Sequence, residues 1–343
     1  MQIEKKIIDL SYNGGGKQMD KLVEFISTEI GILSDQTDIV GPEAKDDSAV
    51  LPFYSNNIVM TTDSHTVDPV FFQGGNIGDL AVCGTINDIV AMGAKPLYMT
   101  LGMVIEEGFT WDDLRVVCNT IGIRLREAGV RIVAGDTKVM PSGTISNIVL
   151  NTSCVGVLAR DSPLSDSNAK IGDTVIITSE IGVHGTSLLA LREGLKFETE
   201  LESDVDHFWP YFENLIRIPG LHAMKDVTRG GLSSALNEIA TKSKVCIEII
   251  EENLPIKSES QAICDMLGLE IMEISGEGVY IIVCSSQSVS QILDILTSTP
   301  RLNSAAVIGF VKSSDIPQVH VKTKIGGTRL LDKPFGEPIP RVC

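Results

Sequence analysis

Aspartates recur at the ends of apolar stretches and beside glycines: Asp46-Asp47, Asp63, Asp79, Asp88, Asp136 and Asp226. A carboxylate held at such a place suits Mg²⁺, an oxygen-seeking ion commonly shared with phosphates, and a neighbouring glycine lets phosphate approach the backbone. Aspartate is also a common cap and turn residue, so each of these positions has a plain structural reading as well. Helix geometry adds a limit. At about 100° per residue, Asp79 and Asp88 fall on opposite faces of one regular helix and cannot both serve one ion from it.

Other residues invite chemistry. Lys138, two residues after Asp136, would stand near any phosphate held by that turn, or is a solvated lysine at a strand end. Glu277, between Gly276 and Gly278, is sterically open on a mobile backbone, or simply marks a glycine turn. Gly74-Gly75-Asn76-Ile77-Gly78 precedes a helix whose N-terminal amides suit an anion. Asn13-Gly14-Gly15-Gly16-Lys17 is P-loop-like only in part, because Leu10 and Gln18 occupy positions that motif gives to Gly and to Ser or Thr. GxSxG and HExxH are absent and the five histidines are scattered, which sets aside serine-hydrolase and zinc-protease readings.

The seven cysteines form no CxxC pair, so neither a disulfide framework nor a zinc site is indicated. Cys83, Cys118, Cys154, Cys246 and Cys284 sit among apolar residues and Cys264 in a mixed run; they read as small buried hydrophobes. Cys343 does not. It ends a stretch punctuated by Pro334, Gly336, Pro338 and Pro340, which cannot continue a helix or a central strand. Fully extended, residues 328–343 reach roughly 50 Å, enough for a thiol on a mobile arm to cross a domain or a dimer partner.

The elements that must position these groups alternate along the chain. Val59-Met60-Thr61-Thr62 reads as a strand running into Asp63, and Asn76 as the N-cap of a helix reaching about Met92. Strands are expected at Leu97–Val104, Val130–Ala134 and Asn147–Val157, with a helix over Trp111–Ala128. Polar Arg160-Asp161-Ser162-Pro163 marks a domain boundary. Beyond it, helices are expected at about 184–194 and 204–217, and a third after Asp226-Val227-Thr228-Arg229-Gly230-Gly231. Val245–Ile250, Val279–Cys284 and Ala305–Val311 read as strands. This order fits two α+β domains, each a sheet with helices on one face: residues 1–160, residues 161–327, and a flexible tail over 328–343.

With 343 residues, two domains are expected, and a hydrophobic fraction of 43% describes a globular protein. The net charge of −17 argues against nucleic acid and anionic membrane as partners, since both would repel the chain at long range. The N-terminal residues lack the apolar core of a secretory signal and no apolar run approaches membrane-spanning length, so a cytoplasmic protein is expected.

The ordered series Asp46-Asp47-Ser48-Ala49, Thr61-Thr62-Asp63-Ser64, Asn87-Asp88 with Ala91-Met92-Gly93-Ala94-Lys95-Pro96, Gly135-Asp136-Thr137-Lys138 and Asp226-Val227-Thr228-Arg229-Gly230-Gly231 resembles the ATP-binding superfamily of aminoimidazole ribonucleotide synthetase and selenophosphate synthetase. Within it, Pro69–Gly78, Arg192-Glu193-Gly194-Leu195 and the ending Pro340-Arg341-Val342-Cys343 look like the hydrogenase maturation carbamoyl dehydratase family. Two departures stand out: Asn76 replaces an expected Asp, and Ile274-Ser275-Gly276-Glu277-Gly278 replaces an Ala-Asn-Glu-Gly-like phrase.

The resemblance implies a two-domain α+β fold of the aminoimidazole ribonucleotide synthetase type, paired as a homodimer through its N-terminal domains. It implies that a carbamoyltransferase loads Cys343 with a carbamoyl group, that ATP activates the amide oxygen, and that loss of phosphate leaves a thiocyanate. The cyanide then passes to iron on a hydrogenase maturation scaffold complex, for a [NiFe] centre. By the same resemblance Asp47, Asp88 and Asp226 hold Mg²⁺. Asp47, Asp63, Asp79, Asn87, Gly135 and Asp136 belong to the ATP pocket, and Lys138 and Glu277 act beside Cys343. The rival readings are another ATP-using superfamily member, such as an amidine-forming synthetase or a small-molecule kinase, and a binding module whose tail docks a partner.

Overall fold

The computed structural model describes residues 7–9, 12, 17–32, 35–36, 57–195 and 201–334. Asp46, Asp47, the glycines of the P-loop-like stretch and Cys343 lie outside these residues.

The first domain runs α1 (Lys17–Ile30), β1 (Ile58–His65), β2 (Phe71–Phe72), β3 (Gly75–Asn76), α2 (Ile77–Ala91), β4 (Ala94–Glu106), α3 (Trp111–Ala128), β5 (Arg131–Met140) and β6 (Ile148–Leu158). β2 and β3 form a two-stranded ribbon, and the larger strands make a sheet in the order β1-β6-β4-β5, antiparallel except for β4 with β5. Helix α2 packs against β1, β6 and β4, with α3 behind it. Nearly every side chain of α2 is buried, as expected of a helix apolar on all sides. Its start is fixed by a capping box, in which the Asn76 side chain accepts from the Gly78 N–H while Asp79 accepts from the Asn76 N–H. On the opposite face of the sheet, residues of β1 such as Met60 and Thr62 are exposed.

The second domain runs β7 (Thr174–Ile177), α4 (Val183–Arg192), α5 (Trp209–Phe212), β8 (Leu221–Asp226), α6 (Gly231–Ser243), β9 (Cys246–Ile250), α7 (Ser258–Leu267), β10 (Tyr280–Cys284), α8 (Val289–Thr297), β11 (Ala306–Lys312), β12 (Gln318–Lys322) and β13 (Thr328–Leu331). Its seven-stranded sheet has the order β13-β12-β9-β11-β7-β10-β8, antiparallel except for β9 with β12. The central strands are buried on both faces, which explains their unbroken apolar sequence. Alternate residues serve different cores. Val175, Ile177, Ile281 and Val283 pack with Leu232, Leu236 and Ile239 of α6, while Ile176, Tyr280 and Ile282 join the core of the first domain. The sheet of one domain is thereby bonded to the helices of the other.

Some elements differ from the sequence expectation. In place of a helix over 204–217 there is only the short α5 and a 3₁₀ turn at Leu215–Arg217. Pro210 admits a helix start but not a helix interior, and Phe208 and Phe212 are drawn into the core instead. β5 continues to Met140, so Gly135, Asp136 and Lys138 lie within a strand, not in a turn that ends one. The expected tail begins later than residue 328: Thr328–Leu331 pair with β12 as the edge of the large sheet.

Candidate active site

A cavity of about 370 Å³ opens between the domains, lined among others by Asp63, Asp88, Asp226 and Glu277. Each arrives on a different element. Asp63 comes from β1, Asp88 from the last turns of α2, Asp226 from the end of β8, and Glu277 from the loop before β10. Asp79 and Asp88 do face opposite ways, as helix geometry requires. The Thr61 hydroxyl donates to Asp88 Oδ2 at 2.7 Å, and the Thr85 hydroxyl, next to Thr152 in a buried pair, donates to Asp63 Oδ2 at 3.3 Å.

The carboxylates crowd one another. Burial, then the charges of Asp226 and Asp63, push Asp88 up to about 7. Burial likewise raises Asp226, against the pull of Lys225 and the Thr228 hydroxyl. Glu277 is raised well above the usual carboxylate range by burial and by Asp204, Asp226 and Asp63, with Arg229 opposing. Like charges gathered in a half-enclosed site form an environment that a divalent cation would relieve. Among the described residues no group of three or more His, Cys, Asp or Glu is placed to hold a metal ion, and Asp47, the third expected ligand, lies outside them.

The glycines around Glu277 do not leave it loose. A Cβ at Gly278 would overlap the Asp204 carbonyl, and one at Gly276 would press on Val279 and Asp204. The Glu277 N–H donates to Asp204 Oδ1 at 3.1 Å, and the Gly276 N–H donates to the Val227 carbonyl. The loop is therefore wrapped tightly around Asp204, and the glycines are there for close approach.

Several expected site residues lie elsewhere. Asp79 is buried away from the cavity, with one carboxylate oxygen on the Asn76 N–H and the other 2.7 Å from Arg124 Nε. It caps and braces α2 and does not line the cavity. Asn87 is equally buried: its amide donates to the Asp206 carbonyl and accepts from the Phe208 N–H, while its own carbonyl takes the Tyr280 hydroxyl. It staples the domains together. Gly135, Asp136 and Lys138 are exposed on β5, the edge strand opposite β1. Asp136 pairs with Gly102, Gly102 with Asn151 and Asn151 with Ser64, so about 14 Å of sheet separates Asp136 from β1. One chain alone does not bring Lys138 to Glu277.

His65, Lys225 and Glu238, which carry no local signal in the sequence, also line the cavity. His65 is held near pKa 4, chiefly by burial. Lys225 bridges Asp166 and Glu238, both within 3.3 Å. Glu238 lies about two turns into α6, well past the Asp226 phrase, so only the packing of α6 could reveal it. The end of the described chain also reaches this wall. Ser233 and Asn237 of α6 donate to the carbonyls of Asp332 and Leu331, and Pro334 lies beside Gly230. The six cysteines among the described residues are free and buried, as expected of small hydrophobes.

Comparison with known proteins places the chain. The AIR synthase related protein family matches through its N-terminal domain over residues 45–158 and its C-terminal domain over 170–322. The chain thus belongs to the two-domain AIR synthase-related proteins. A putative hydrogenase expression/formation protein of Methanocaldococcus jannaschii is 40% identical, covering 97% of this chain and 98% of that protein. The carbamoyl dehydratase HypE of Rhizobium leguminosarum bv. viciae is 38% identical, covering 98% and 95%. A solved structure of the hydrogenase maturation protein HypE in complex with ATP superposes with a TM-score of 0.92 at 35% identity, over 98% of this chain and 99% of that one. A HypE–HypF complex matches with a TM-score of 0.78 at 37% identity, over 93% and 100%. Within the AIR synthase-related proteins, the chain belongs to the HypE family.

Proposed function

We propose that this chain is an ATP-dependent carbamoyl dehydratase acting on its own last residue, Cys343, in hydrogenase maturation. The observation that carries this reading is the meeting of the carboxylate cavity with the root of the C-terminal tail. From Pro334, residues 335–343 span up to about 30 Å, ample for Cys343 to enter the cavity. Family relatives include a HypE bound to ATP and a HypE–HypF complex, which supports ATP as substrate and a carbamoyltransferase as the partner that loads the thiol.

The chemistry follows from the leaving group. An amide oxygen leaves poorly; transfer of the ATP γ-phosphoryl group to it forms an O–P bond as the bond to ADP breaks. Carbon–oxygen cleavage then releases phosphate, with one nitrogen proton taken by Glu277 and the second leaving with the phosphate, and a thiocyanate remains on sulfur. Glu277, facing the cavity, acts as the general base that accepts the first of these protons. Asp88 and Asp226, with Asp47, would hold Mg²⁺, which when bound neutralises phosphate charge. Asp63 stands beside them toward the nucleotide. Lys138 stabilises charge on the oxygen, and because β5 is remote within one chain, it does so in a homodimer whose N-terminal sheets pair edge to edge. Gly135 and Asp136 of the same strand enter the pocket together with it. An iron-carrying maturation scaffold receives the cyanide. The reading places the chain in the cytoplasm, where a terminal thiol stays reduced.

The test is intact-mass spectrometry with a carbamoyltransferase and carbamoyl phosphate, with and without ATP. The tail peptide should gain a carbamoyl group and, with ATP, lose one water. Cys343→Ala should fold and bind nucleotide but gain nothing; carbamoylation of that variant would defeat the assignment.

A further inference from the structure

Away from the carboxylate cavity, a second region has the opposite charge. A cavity of about 480 Å³ is lined by Lys95, Arg160, Asp161 and Arg217, and a neighbouring one of about 370 Å³ by Arg160, Lys170 and His222. Val157 lies here on β6, about 17 Å along that strand from Thr152, which pairs with Asp63. In a chain with 45 acidic and 28 basic residues, a wall with several cations and a single carboxylate is unexpected.

Arg160 joins the two cavities. Its stem passes over Gly93, where a Cβ would come within 2.7 Å of Arg160 Cδ, so the backbone is shaped to admit the side chain. Its Nη2 donates to the Leu221 carbonyl at 3.2 Å. Nε and Nη1, however, are buried with no acceptor among the described residues. Buried guanidinium N–H groups almost always find partners, and leaving two without one is costly. Lys95 and Arg217 are exposed and form no ion pair among the described residues. On the other side, Lys170 Nζ lies 3.4 Å from His222 Nε2, whose Nδ1 is tied to Asp173 at 2.8 Å.

We infer that this region is a binding site for a small oxyanion, a phosphate group or a compact phosphomonoester. Nε and Nη1 of Arg160 are charged donors without acceptors among the described residues, suited to the oxygens of such a group, with Lys95 and Arg217 supplying further charge. Arg160 lines both cavities, and its one hydrogen bond among the described residues is to the Leu221 carbonyl. Lys95 and Arg160 belong to the first domain and its exit, Arg217 and His222 to the second, so a bound anion bridges the domains. The cavity volumes suit a small ligand.

The experiment uses the full-length protein saturated with Mg²⁺ and a non-hydrolysable ATP analogue, so that the carboxylate cavity is closed to the probe. Inorganic phosphate is titrated calorimetrically and by thermal shift, with AMP and citrate as parallel probes. Phosphate or AMP should bind and raise the melting temperature. Arg160→Met and Arg217→Ala should each weaken binding by roughly tenfold or more, and Asp161→Asn should strengthen it. In phosphate-free buffer Arg160→Met should melt close to the parent, because the lost Nη2 bond to the Leu221 carbonyl is offset by removal of two buried donors that have no acceptor. Arg217→Ala, at an exposed position, keeps the test open if Arg160→Met misfolds. Absence of binding up to about 50 mM phosphate or AMP, or binding unchanged in both variants, would overturn the proposal. Capture of an acidic peptide in place of phosphate would overturn it as well.

Discussion

Lys333 Nζ lies 3.2 Å from Glu238 Oε1, and this pair ties the last described residues of the chain to the wall of the carboxylate cavity. Glu238 also holds Lys225 through its other oxygen, so the tail root and the cavity floor share one carboxylate. A half-exposed pair contributes at most about 1 kcal/mol. We therefore expect Lys333→Glu to slow ATP-dependent conversion of a loaded Cys343 by about two- to fivefold, with loading by the carbamoyltransferase unchanged. Single-turnover mass spectrometry checks this, and an equal loss at the loading step would remove the anchoring role.

Asp88→Asn and Asp226→Asn should each lower Mg²⁺-dependent ATP hydrolysis by about 10²-fold. Asp68→Asn is the control. Asp68 lies outside the cavity, and its backbone carbonyl, unchanged by the substitution, takes Arg192 Nε at 2.6 Å. Equal hydrolysis by all three variants at high Mg²⁺, with melting temperatures unchanged, would remove the metal role from Asp88 and Asp226.

The pattern of what was legible in the sequence follows the range of each interaction. Asp88 and Asp226 stood out because a carboxylate at the end of an apolar element is a local signal, and the opposed faces of Asp79 and Asp88 followed from helix geometry. The capping role of Asn76 was equally local. The bracing role of Asn87 is not legible, because its partners, Asp206 and Phe208, are remote in sequence and nothing near Asn87 announces them. Gly135-Asp136 looks like a turn in sequence, whereas pairing with β4 carries the strand through it to Lys138. β12 and β13 were missed for a related reason. They are short, flanked by proline and glycine, and the pair joins the sheet through parallel pairing of β12 with the distant β9.

His184 gives the fold a pH dependence of definite sign. It is fully buried on α4, with Nδ1 2.7 Å from the Ser203 hydroxyl and its ring edge-on to Phe72. Burial, helped by the charge of Arg192, lowers its pKa to about 3. The unfolded chain, with an ordinary value near 6.5, therefore binds more protons than the folded one between those limits. Stability from this site is complete above about pH 6.5 and falls by about 1.4 kcal/mol per unit as pH drops toward 3. Chemical denaturation of the parent and of His184→Gln should give curves whose difference has that slope on the acid side and none above pH 7. A difference independent of pH would mean that His184 does not titrate in folding.

Glu277 and Lys138 supply the sharpest test, because the chain keeps them apart. Glu277→Gln retains size and much of the hydrogen bonding but cannot take a proton. Cys343 should be loaded normally, while dehydration slows by about 10²–10⁴-fold and the carbamoylated tail accumulates. Lys138→Ala should stall at the same step. If the working site combines Glu277 of one copy with Lys138 of the other, mixing the two inactive variants and allowing subunits to exchange creates dimers with one intact site. Half of a statistical mixture is mixed, and half of the sites in each mixed dimer are intact, so activity should recover to about a quarter of the parent. Recovery would assign Lys138 to the partner's site. Stalling of both variants without recovery, under conditions where exchange is verified by mass, would confine both residues to one chain and require β5 to reach the cavity by a rearrangement within it. Normal dehydration by Glu277→Gln would exclude Glu277 as the base.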